Sequence, residues 1–135
     1  MLGTGDTVYV IDPDVAVHEA LAALIESSDA DVECYRTAEE FLLTPSPFRD
    51  KCGCLLVAVD LAGMGGLALI RQLQEHTESF PVIVLASTAD RDVADQAMKA
   101  GAVDVLYKPL TTEPLLDRLY AAVHRSGYHA TQANS

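Results

Sequence analysis

Two short stretches limit the architecture more than any others. "CLLVAV" (54–59) and "PVIVLAS" (81–87) are strand-length runs too apolar to leave a face in water. Strands buried on both faces belong inside a sheet that helices cover from two sides, and such sheets are parallel. The rest of the chain alternates as that arrangement needs. "TVYVI" (7–11) is a short apolar strand, "DVECYR" (31–36) alternates like a strand with one wetter side, and "VDVLY" (103–107) completes a set of five.

Helical spacing fills the intervals. Val17, Leu21, Leu24 and Ile25 share one face over 14–27, and Leu67, Ile70, Leu73 and Gln74 lie on nearby rows over 66–76. "TAEEFLL" (37–43) opens on Thr37 with Glu40 three residues on, the spacing of a capping box. A helix around 90–99 stops at Lys99-Ala100-Gly101, with glycine where a C′ residue belongs. Leu115, Leu116, Leu119 and Val123 carry a last helix over 112–124, and "TPSPFRD" (44–50) is a turn-rich break. Pro81 opens its strand, as strand edges permit.

Five strands alternating with five helices predict an α/β fold with a doubly wound parallel sheet. Right-handed crossovers and a length of 135 residues select the flavodoxin-like (βα)5 arrangement with strand order 2-1-3-4-5. The reading gives one domain over 1–124 and a polar tail or truncated linker over 125–135.

Half of the residues are hydrophobic and the net charge is −11. That composition excludes disorder, and a surface so acidic repels phosphate backbones, so no direct nucleic-acid contact by this domain is expected. No apolar run approaches the ~20 residues of a membrane span, and Met1 to Thr7 lacks a secretory pattern. A soluble, cytoplasmic protein without membrane contact is the expectation. Cys52-Gly53-Cys54 lacks companions at zinc-ligand spacing, and Cys34 and Cys54 fall in strands, where cysteine serves as a small buried hydrophobe. His18, His76, His124 and His129 fall on exposed faces or the tail and receive no role.

In such sheets functional groups gather beyond the carboxyl ends of the strands, near the switch point between strands one and three. Asp12 follows strand one, Asp60 follows strand three and Lys108 follows strand five. Simpler roles exist for two of them. Asp12-Pro13 suits a helix start, with the acid as N-cap and proline in the first turn. Lys108 suits an ion pair with Asp60. A flavin phosphate is disfavoured, because the first loop, Asp12-Pro13-Asp14, is anionic, and Gly63, Gly65 and Gly66 lack phosphate-loop spacing.

The pieces "VYVIDPD", "YRTAEEFL", "LLVAVDL" and above all "AMKAGAVDVLYKPL" (97–110) give the chain its resemblance to the receiver domains of two-component response regulators, and within them to the FixJ type. The resemblance covers roughly residues 7 to 124. It implies that Asp60 is the phosphoacceptor, that Lys108 pairs with the acyl phosphate, and that Pro109 follows a cis peptide bond. It implies Mg²⁺ held by Asp12, Asp60 and the backbone carbonyl of Ala62. The expected partner is a sensor histidine kinase. The implied surface of the fourth helix and fifth strand, with Val93, Ala97, Val105 and Tyr107, would support a homodimer. A fused helix-turn-helix domain would carry any DNA binding.

The same comparison exposes departures at the site. Pro13 stands where the family has the second metal-binding acid, and only Leu61 to Gly65 separate Asp60 from Gly66, two residues fewer than usual. Ala86 stands at the switch hydroxyl position, with Ser87 next, and Val105 replaces the switch aromatic. Removing a charge partner from a partly buried site costs on the order of a few kcal/mol, and ~1.4 kcal/mol is tenfold in rate. The sequence therefore predicts weak or absent Mg²⁺ binding and weakened phosphorylation of Asp60. The alternative is a pseudoreceiver that docks or dimerises without phosphate. Either way the expected role is signalling, not enzymatic turnover.

Overall fold

The computed structural model describes residues 6–43, 52–59, 65–76, 81–87, 91–108 and 115–123. Along the chain these form β1 (Asp6–Ile11), α1 (Val15–Glu26), β2 (Asp31–Tyr35), α2 (Ala38–Leu42) and β3 (Cys52–Ala58). They continue as α3 (Gly66–His76), β4 (Val82–Ala86), α4 (Arg91–Ala100) and β5 (Asp104–Tyr107). A final helix, α5, includes residues 115–123. The strands form one sheet in the order β2-β1-β3-β4-β5, and each adjacent pair is parallel. This is the arrangement expected from the two apolar runs.

The period of two along each strand divides the interior into two layers. Tyr9 and Ile11 of β1, Leu55 and Val57 of β3, and Val82 and Val84 of β4 point to one face. There they pack with Phe41 of α2, with Leu69, Ile70 and Leu73 of α3, and with Ala97 of α4. The alternate residues, Val8, Val10, Cys54, Leu56, Ile83 and Leu85, meet Leu21 and Ile25 of α1 and Leu115, Leu119 and Val123 of α5. Phe41 sits edge-on to both Tyr9 and Tyr35, with ring centroids 5.7 and 5.3 Å apart, a favourable aromatic arrangement.

Local chemistry fixes the ends of the elements. The hydroxyl of Thr37 accepts the Glu40 N–H at 3.0 Å, as the capping-box spacing predicts. The Glu40 carboxylate reaches back to the Arg36 N–H at 2.7 Å, one residue ahead of the cap. Gly101 has a φ of 129° and its N–H closes on the Ala97 carbonyl, so only glycine is comfortable there. Arg118 of α5 bonds Asp104 of β5 at 2.6 Å and ties the last helix to the edge strand.

Three expectations are corrected. The cap of α1 is Asp14, not Asp12: the Asp14 carboxylate accepts the Ala16 N–H at 2.9 Å and the helix starts at Val15. Asp12 still belongs to the extended chain, since its N–H bonds the Tyr35 carbonyl at 3.0 Å and continues the sheet ladder. Cys34 is exposed on the edge strand β2, whereas Cys54 in β3 is fully buried. Ala97 is also fully buried, facing the sheet from α4, and so is removed from the expected interface. No helix among the described residues is long and apolar enough to cross a membrane.

Candidate functional site

The carboxyl edge of the sheet is assembled by hydrogen bonds that run one residue past each strand. The Val59 N–H bonds the Leu85 carbonyl at 3.2 Å, and the Lys108 N–H bonds the Ala86 carbonyl at 2.8 Å. With Asp12 held to Tyr35, three strand ends are fixed before any side chain is considered. Asp60 is the residue after Val59; it lies outside the described residues, as do Ala62 and Pro109.

Asp12 and Lys108 meet. The ammonium of Lys108 donates to Asp12 Oδ2 at 2.9 Å, although β3 and β4 separate their strands. The Asp12 side chain is 1% exposed and that of Lys108 is 32% exposed, so the pair has a buried end and a wet end. Asp60, the partner suggested for Lys108 by the sequence, lies outside the described residues; among those described, the lysine has Asp12 as a partner.

Asp12 is held through its other oxygens too. Its Oδ1 accepts the Asp14 N–H at 2.9 Å, and its backbone carbonyl lies 2.6 Å from His18 Nε2. A carbonyl can only accept, so Nε2 of His18 is the donor in this contact. His18 is half-buried rather than on an open face, and its ring holds the Asp12 backbone. Sequence did carry a signal for this contact. Helical side chains lean toward the N-terminus, so a residue one turn inside α1 overhangs the segment that precedes the helix.

The remaining candidates surround this corner less directly. Ala86 is buried at the end of β4 and Ser87, just beyond it, is exposed. Val105 is half-buried against the apolar layer that contains Ala97, while Tyr107 is 39% exposed and Val93 half-buried. On this face Tyr107 is therefore the surface-facing member of the expected group. Glu39, Glu40 and Asp92 are exposed, in keeping with solvated helix surface.

A five-stranded parallel sheet in the order β2-β1-β3-β4-β5, with an acid and a lysine joined at its carboxyl edge, defines the class of flavodoxin-like doubly wound α/β modules. The comparisons with known proteins make it specific. The family described as "Response regulator receiver domain" matches residues 8–120. The response regulator protein TodT of Pseudomonas putida is 40% identical over 123 residues, 91% of this chain and 53% of the relative. The transcriptional regulatory protein FixJ of Azorhizobium caulinodans is 36% identical over 128 residues, 95% of this chain and 60% of the relative. The crystal structure of full-length FixJ from B. japonicum superposes with a TM-score of 0.85 at 29% identity, covering 95% of this chain and 62% of that one. The chain belongs to the response regulator receiver domain family. It spans about half the length of the curated relatives it matches.

Receiver domains generally bind Mg²⁺ at their phosphorylation site. The described donors of this chain do not fit that ion. Pro13 has no side-chain oxygen, and all three oxygens of Asp12 already face nitrogen donors. The exposed Asp14 carboxylate is engaged in capping α1. Among the described residues no three His, Cys, Asp or Glu side chains are grouped to share a metal.

Proposed function

We propose that this chain is the receiver part of a FixJ-type transcription regulator, with a phosphoacceptor at Asp60 whose Mg²⁺-dependent modification is weakened. The observation that carries the reading is the Lys108–Asp12 pair at the carboxyl edge, beside a position where proline replaces an acid. In the proposed step an Asp60 carboxylate oxygen attacks the phosphorus of a phosphohistidine. The O–P bond forms, the N–P bond breaks, and its electron pair leaves with the imidazole nitrogen. Lys108 would then exchange Asp12 for the new phosphoryl oxygens, which carry more charge. Family membership supports a sensor histidine kinase as the donor and a cytoplasmic setting. The greater length of the FixJ relatives supports a helix-turn-helix domain beyond a receiver spanning 1–124, with 125–135 as the start of a linker.

A second reading has its own support. Asp12 is fully partnered by the chain itself, so the corner is stable without modification. A domain of this kind would dimerise or dock a partner through α4 and β5, around Val93, Val105 and Tyr107, regardless of phosphate. Intact mass after incubation with a small phosphodonor separates the two. An adduct lost in Asp60→Asn supports the switch, and no adduct under forcing conditions supports the constitutive module.

A further inference from the structure

We infer that Lys108 is the resident cation of the acid corner, and that it excludes divalent metal by competing for Asp12. The inference deepens the reading given above and rests on it for the choice of Mg²⁺ as the competitor.

Among the described residues of the corner, no oxygen is left in need of a metal. Asp12 has three oxygens and each faces a nitrogen: Oδ1 the Asp14 N–H, Oδ2 the Lys108 ammonium, and the backbone carbonyl His18 Nε2. No buried side-chain polar atom among the described residues lacks a partner. A hard dication prefers a near-octahedral shell of oxygens and gives up its waters reluctantly, so one carboxylate already shared with an ammonium is a poor host. Pro13 removes the neighbouring side-chain oxygen that would tip the balance. At 2.9 Å from Oδ2, the Lys108 nitrogen occupies one of the positions from which a cation would approach that oxygen. Metal and ammonium also repel each other, so each weakens the other's hold on the shared carboxylate. His18 acts from behind as a positioning residue, holding the Asp12 backbone so that its carboxylate stays directed at the lysine.

The test is a magnesium titration of the intact 135-residue chain by calorimetry, in wild type, Lys108→Met and Lys108→Arg. Lys108→Met is expected to bind Mg²⁺ at least tenfold more tightly than wild type. Lys108→Arg, which keeps the charge, is expected to stay within about threefold of wild type. Adding Asp12→Asn to Lys108→Met should abolish the gain. Equal or weaker binding by Lys108→Met, including no binding by either protein, overturns the inference. If Lys108→Met does not fold by circular dichroism, Lys108→Gln carries the same expectation. Phosphodonor labelling of wild-type Asp60, read separately by mass, distinguishes the failures. A normal adduct without metal competition removes this inference alone, whereas competition without an adduct removes the phosphoacceptor reading.

Discussion

Lys108 Nζ lies 2.9 Å from Asp12 Oδ2, joining two residues 96 positions apart across the carboxyl edge of the sheet. The bond closes β1 onto β5 over the ends of the two strands between them. Its acid end is almost fully buried, so removing one partner strands polar groups that the folded chain cannot rehydrate freely. Asp12→Ala should therefore destabilise the domain by about 2–4 kcal/mol, because it also leaves the Asp14 N–H without its acceptor. Urea unfolding followed by far-UV circular dichroism measures this directly. A loss below ~0.5 kcal/mol would mean the pair contributes no more than an exposed ion pair.

Gly53 makes the sharpest backbone demand in the sheet. Its φ is 155°, and a Cβ placed there would fall 1.7 Å from the Thr7 carbonyl oxygen of β1. Gly53→Ala must push β3 away from β1 at the register pair Thr7–Gly53. The expected cost is at least about 3 kcal/mol, visible as a lower urea midpoint.

Much of this architecture was legible because burial imposes simple periods. β3 and β4 are apolar on both faces, and they declared a covered parallel sheet; α1 and α5 placed their buried leucines at helical spacing. The site was legible only in part. Residues 12 and 108 could be assigned to one edge from topology, but the direct bond between them depends on side-chain reach, which spacing does not encode. The Asp12-Pro13 helix start failed for a related reason. Any acid before a helix can cap it, and here the hydrogen bond of Asp12 to Tyr35 keeps it in the sheet and passes the cap to Asp14. Cys34 shares the face of Val10 yet is exposed, because how far the helices cover an edge strand is not written in the strand's own residues.

The cysteines of β2 and β3 should differ in reactivity. Burial, reinforced by Asp6, pushes the Cys54 thiol far above its ordinary range and removes access to it. Cys34 is accessible, but partial burial and the Glu26 carboxylate raise its thiol as well, so it should react slowly at neutral pH and faster as pH rises. Iodoacetamide labelling of the native protein, mapped by peptide mass, should mark Cys34 and spare Cys54. Marking of Cys54 without prior unfolding would contradict the two-layer core.

Tyr9 gives the fold an alkaline limit. Burial, with the Glu33 carboxylate and Tyr35 adding to it, raises its phenol from 10.0 to about 12. The folded state therefore holds this proton more tightly than the unfolded chain does. The contribution is fully present below pH 10 and is lost progressively as pH rises from 10.0 toward about 12. Stability measured across that window should fall less steeply in Tyr9→Phe than in wild type; identical slopes would show that Tyr9 does not contribute.

The proposed switch requires Asp60 to accept phosphate at a corner poorly provided for magnesium. Intact mass spectrometry over time, with excess small phosphodonor and Mg²⁺, tests it most directly. The expected result is a slow, incomplete gain of one phosphoryl group that disappears in Asp60→Asn and rises at least tenfold in rate in Pro13→Asp. Rapid stoichiometric modification of wild type, or no adduct even after long exposure at high donor concentration, would contradict it.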